Sequence, residues 1–167
     1  MNTIKSSFLK DYILKLAGEY ASANKIHTIL NISLSYTYII VKNNKIRSRT
    51  KYGRTEYNMV DFVEALELGQ NNDIINPAFT KEDFDINNYH NWEAQNDIEK
   101  FLQNYLLDEL GEFTTIKDLV ELFKVSKTIW YEALDEGKII CFRISTRRII
   151  LTRALLPFLR EALISEF

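Results

Sequence analysis

Seven basic side chains stand in two short runs, Arg47, Arg49, Lys51 and Arg54 in the first and Arg143, Arg147 and Arg148 in the second. Cations packed this densely do one kind of chemistry well. They pair with anionic groups, phosphates above all, and give an affinity that falls with salt. The plainer outcome of such a run is a solvated charged face. Other chemistries lack their residues. His27, His90 and Cys141 do not have zinc-ligand spacing. The five glycines form neither a GxGxxG run nor a P-loop. No nucleophile stands beside a plausible base, and no carboxylate pair sits in a motif. The expectation is a protein that is not an enzyme, with no catalytic residue, cofactor, metal or small-molecule substrate.

The elements that would position these cations come from a repeat. Laid over itself at an offset of 93 residues, 8–66 covers 101–159 with twelve identities in 59 positions, where such a composition gives about four by chance. Phe8, Leu9, Tyr12 and Leu14 meet Phe101, Leu102, Tyr105 and Leu107; Gly18 and Glu19 meet Gly111 and Glu112; Ser33 and Tyr38 meet Ser126 and Tyr131. Lys45, Ile46, Arg54 and Leu66 meet Lys138, Ile139, Arg147 and Leu159. A fixed period in the chain predicts one structural unit used twice.

The second copy is read more easily. Ile98, Phe101, Leu102, Tyr105, Leu106 and Leu110 have helical spacing and predict one buried stripe, stopped at Gly111. Thr115 with Asp118 predicts the start of a helix whose inner face is Leu119, Leu122 and Phe123. A short turn at Lys124 and Val125 follows, and Ser126 caps a helix over 127–136 with Trp130, Ala133 and Leu134 inward. Residues 139–144 and 147–151 predict a hairpin, and Thr152 predicts the cap of a last helix with Pro157 in its first turn. His27, opposite Val120, reads as a half-buried histidine, and Cys141 as an inert thiol in a strand.

The stretch 114–159 resembles the excisionase-like, MerR-type winged helix-turn-helix family on Thr115, Leu119, Val125, Ser126, Tyr131, Gly137, Lys138, Ile139, Arg143 and Arg147. The first copy matches less closely, with Asn44 at the place of the glycine, a residue tolerated where φ is positive. The resemblance implies a mainly α fold with small β-hairpin wings, an α+β class of two tandem winged helix-turn-helix units, and double-stranded DNA as partner. It places Ser35, Tyr38 and Lys42 on a first recognition helix and Lys127, Thr128 and Tyr131 on a second. Leu34 and Ile39 share the first helix. The wings would then meet phosphates through Arg47, Arg49, Lys51 and Arg54, and through Arg143, Arg147 and Arg148. Glu132, Asp135 and Glu136 make the second helix acidic, so 127–136 also fits a protein partner or a homodimer contact. The alternative function is an assembly adaptor of the viral small-terminase kind.

Composition agrees with this division. Apolar residues are 46% and charged residues 26%, the balance of a folded chain. The net charge of −2 conceals a partition. Residues 18–66 carry seven cations against four anions, 67–110 two against ten, and 111–159 eight against six. The expected units are 1–66 and 95–167, joined by an acidic linker over 67–94 that holds Gly69, Asn71, Asn72, Asn76, Pro77, Asn87 and Asn88, with Phe79, Phe84 and Tyr89 among them. One cysteine excludes an intrachain disulfide. With neither an apolar run of about 20 residues nor a signal-peptide core, the expected location is the cytoplasm, away from membranes.

Overall fold

The computed structural model describes residues 3–70, 93–136, 138–139, 141–144 and 147–165, with side chains over 10–66, 93–136, 138–139 and 147–161. The chain divides into two compact units, Met1–Asp73 and Ile74–Phe167. Each is mainly helical with a small antiparallel sheet, an α+β architecture. The first runs α1 (Thr3–Ala17), β1 (Tyr20–Ala21), α2 (Ala23–Leu30), α3 (Leu34–Asn43), β2 (Ser48–Lys51), β3 (Arg54–Asn58) and α4 (Met59–Gln70). The second runs α5 (Asp97–Leu110), β4 (Phe113–Thr114), α6 (Ile116–Phe123), α7 (Lys127–Asp135), β5 (Cys141–Ile144), β6 (Arg147–Leu151), a 3-10 turn (Thr152–Ala154) and α8 (Leu155–Ser165).

Moved by 93 residues, β1, α2, β2 and β3 fall on β4, α6, β5 and β6 residue for residue. The sheets share a strand order, β1-β3-β2 and β4-β6-β5. They share a register as well: Ala21 faces Tyr57 as Thr114 faces Ile150, and Lys51 faces Arg54 as Ile144 faces Arg147.

Local chemistry explains the shared boundaries. Gly18 (φ 81°) and Gly111 (φ 74°) leave the first helix of each unit in left-handed backbone. Their N–H groups donate to the Leu14 and Leu107 carbonyls at 2.8 and 2.9 Å. Ser22 and Thr115 then cap α2 and α6, accepting from the N–H groups of Lys25 and Asp118 at 3.2 and 3.3 Å. A three-residue turn opens at left-handed Asn31 (φ 53°) and Lys124 (φ 55°). Ser33 caps α3 through the Tyr36 N–H at 3.1 Å, whereas Ser126 holds the matching backbone without a side-chain cap bond.

Packing then fixes each helix pair. In the first unit α1 packs on α4 and α2, and α3 on α2 and α4, with Ile13, Ile26, Leu30, Thr37, Ile40, Phe62 and Val63 buried. In the second, Leu106, Leu119, Trp130, Leu134, Ile150 and Leu155 belong to one core. Trp130 stands where the first unit has Thr37, and its ring tilts against Phe123 at 5.2 Å and Phe158 at 5.9 Å.

Several sequence expectations change. Of the stripe on α5, only part is buried: Leu106 is, while Ile98, Phe101 and Tyr105 are 79%, 75% and 44% exposed. The helix turns Leu106 inward and holds Glu99 to Arg160 of α8, which rotates Ile98 and Phe101 outward. Thr152 does not cap α8 but begins the 3-10 turn, and α8 starts three residues later than α4 does in its unit. The difference lies in the preceding residue. Asn58 accepts from the Asp61 N–H at 3.0 Å and so caps α4, and Leu151 at the same place has no polar group to offer. Asn44 has φ −104°, and the left-handed residue is Lys45 at φ 50°. Ile139 is buried but precedes the hairpin, which begins at Cys141. Helix α4 continues to Gln70, so the first four residues of the expected linker, 67–70, are helical: Ala65 to Leu68 are good helix formers, and the helix runs on through Gly69. The linker residues Asn71 to Tyr89 and the helix stop at Gly137 lie outside the described residues.

Candidate nucleic-acid interface

Helix α3 has two faces. Thr37 and Ile40 are buried, and Ser35, Tyr38, Ile39 and Lys42 form an exposed row at helical spacing, with Tyr38 and Ile39 each half exposed. The row is uncharged except for Lys42. It is joined to the hairpin β2–β3 by four residues, 44–47, fastened where the Ile46 N–H donates to Val41 and the Asn58 N–H to Arg47.

The hairpin's cations differ in what they already hold. Arg47 is committed. Its guanidinium makes a two-point pair with Asp61, Nε to Oδ2 and Nη2 to Oδ1 at 2.8 Å, and its own N–H donates to Oδ2 at 3.1 Å. That hydrogen bonding raises the Arg47 pKa and holds the Asp61 carboxyl below its usual range. Arg49 is committed too, to Glu56 directly across the ladder at 2.9 Å and to the Tyr20 ring at 4.0 Å. Lys51 and Arg54 are exposed and have no carboxylate partner among the described residues. Lys42 and Lys45 share that state, and Lys45 was missed by sequence reasoning. Its signal was the lysine aligned with Lys138 just after the helix. Tyr52, at the hairpin tip, was also missed and is 92% exposed.

The second unit presents a different surface. Helix α7 turns Trp130, Ala133 and Leu134 inward and exposes Lys127, Thr128, Tyr131 and Glu132 on the other side, followed by Asp135 and Glu136. Arg148 reaches back from β6 to Asp135 at 3.2 Å and lies 5.4 Å from the Tyr131 ring. Lys138 pairs with Glu136 at 2.6 Å, which raises its pKa. Arg147 is exposed without a carboxylate partner among the described residues, and Arg143 lies on β5 with its side chain outside them. The structure thus brings Ser35, Tyr38, Lys42, Lys51 and Arg54 to the surface of one unit as available groups. It engages Arg47, Arg49 and Arg148 with acids.

His27 is half-buried on α2. Among the described residues no group of three or more His, Cys, Asp or Glu side chains could hold a metal ion, and no helix is long and apolar enough to cross a membrane. Compared with models of protein families, with curated proteins and with solved structures, the chain finds no match in any of the three.

Proposed function

We propose that this protein binds double-stranded DNA in a sequence-specific manner through two tandem winged helix-turn-helix units. It would act as a transcriptional regulator or as a recombination, plasmid or phage maintenance factor. One observation carries the reading. Each unit places an exposed helix after a three-residue turn and follows it with a two-stranded hairpin, all at a constant 93-residue offset. A helix about 10–12 Å across with its side chains fits a major groove, and a hairpin beside it can meet the flanking backbone. In the first unit the exposed row Ser35, Tyr38, Ile39 and Lys42 would face base edges, and Lys45, Lys51 and Arg54 the phosphates. The second unit contributes less, because Glu132, Asp135 and Glu136 repel phosphate and Arg148 is occupied. The reading includes no catalysis, no cofactor and a cytoplasmic setting.

Selecting duplexes from a random pool tests this directly. The expected result is an enriched motif bound with an affinity that falls steeply with salt. A pool that stays random at low salt would overturn the reading.

A second reading, an assembly adaptor, draws on the exposed Ile98 and Phe101 of α5 and on the acidic α7. Light scattering separates the two: a high-order ring favours the adaptor, and a monomer or dimer favours the DNA binder.

A further inference from the structure

The tip of the β2–β3 hairpin is the pair Tyr52-Gly53, with φ of 49° and 71°. A two-residue hairpin loop with positive φ at both positions favours Asn-Gly or Asp-Gly. A bulky aromatic in left-handed backbone is strained, and such outliers persist at functional positions. Packing does not compensate for this strain, because the ring is 92% exposed. The Lys51 Nζ lies 5.6 Å from its centroid. The neighbours on either side, Lys51 and Arg54, are directly paired across the ladder and exposed. An apolar plane therefore projects from the hairpin tip, between two cations that hold no carboxylate among the described residues.

We propose that Tyr52 is an aromatic wedge. With α3 in a major groove, the hairpin tip enters the adjacent minor groove, the ring inserts part-way into a base step, and Lys51 and Arg54 hold the phosphates on either side. This rests on the duplex-DNA reading above and adds a deformation to it. Pyrimidine–purine steps unstack most readily, so the wedge selects TA or CA at its position without hydrogen bonding to a base edge. The device belongs to the first unit alone, since the matching positions in the sequence are Ser145 and Thr146.

The test uses the full chain and a duplex recovered by the wild-type protein from a random pool, resynthesised with 2-aminopurine at successive steps. Wild-type protein raises the 2-aminopurine fluorescence at one step outside the α3 contact. Tyr52→Asn supplies the residue the turn prefers, so it raises the melting temperature by about 3 °C. It also weakens binding about tenfold, equivalent to one stacked base. The salt slope stays unchanged because no charge is removed, and the fluorescence rise disappears. Tyr52→Phe keeps all the wild-type behaviour. A Tyr52→Asn protein that binds as tightly as wild type, or a wild-type complex with no unstacked step, overturns the wedge while leaving the DNA reading intact. A wild-type protein that enriches no duplex overturns both.

Discussion

Formal charge and available charge are different quantities at the residue scale. Arg47 counts as a cation in the sequence, but its two-point pair with Asp61 commits it to joining the hairpin to α4. Arg160 of α8 does the same for α5: it meets Glu99 at 2.7 and 2.8 Å, with both side chains largely buried at 19% and 15% exposure. Hydrogen bonding from Arg160, and then from the Gln95 N–H, pulls the Glu99 pKa from 4.5 to about 2. A carboxyl whose folded pKa lies below its unfolded one stabilises fully above the unfolded value. That stabilisation is lost as pH falls through the folded value. The melting temperature of wild-type protein should therefore fall more steeply between pH 4.5 and 2 than that of Glu99→Gln, which starts lower and loses less. Parallel curves would show that the pair contributes nothing to folding. Two buried hydroxyls behave oppositely. Among the described residues Thr114 and Thr152 have no hydrogen-bond partner for Oγ1, and the first unit has Ala21 and Met59 at those positions. Replacing either by Val removes an unsatisfied group at constant shape. Each should stabilise by about 1 kcal/mol in chemical denaturation; destabilisation by either would reveal a partner for that hydroxyl.

Caps and turns are what the sequence reveals best at the scale of elements, because their chemistry spans three or four residues. Gly18 and Gly111, Ser22 and Thr115, and Ser33 and Ser126 mark the same boundaries twice, and the elements between them recur at the offset read from identities alone. What the sequence hides depends on distant partners. The partner of Arg47 lies fourteen residues on, across a hairpin and into the next helix. The spacing of Ile98, Phe101 and Tyr105 marks an apolar face, yet it does not say where the neighbouring helix stops covering it. Tyr52 escaped notice because Tyr-Gly is an unusual turn pair, and its strain shows only in φ. The caps also provide a comparison within one chain. Ser33 accepts a bond from the Tyr36 N–H and Ser126 accepts none in its own helix. Ser33→Ala should therefore cost about 1 kcal/mol by urea denaturation, and Ser126→Ala no more than a few tenths. Equal costs would mean that the serines act through backbone preference and not through their hydroxyls.

The whole molecule carries one architecture twice with two different surfaces. The two exposed helices carry different residues at matching positions: Lys42 and Asn43 in the first correspond to Asp135 and Glu136 in the second. Hairpin positions differ as well, since Lys51 corresponds to Ile144 and only Arg54 has a matching arginine, Arg147. If both units met DNA equally, removing three cations from either would have the same effect. Every cation that no longer neutralises a phosphate lowers the slope of log K against log salt by about 0.9 on B-form DNA. Replacing Lys45, Lys51 and Arg54 together by Ala removes three groups that hold no acid among the described residues. The slope should drop by about 2 to 3. In the second unit the comparable set is Lys127, Arg147 and Arg148. Arg148 already lies 3.2 Å from Asp135, and Glu132 and Glu136 stand exposed nearby in sequence. Replacing that set should lower the slope by about 1 or less, because the acids have offset its cations before any phosphate arrives. Anisotropy titrations from low to physiological salt measure both slopes on the same duplex. Equal drops would assign the two units equal roles in spite of their charges. A larger drop from the second set would move the principal DNA surface to α7 and its hairpin, and the acidic side chains there would then have to point away from the DNA.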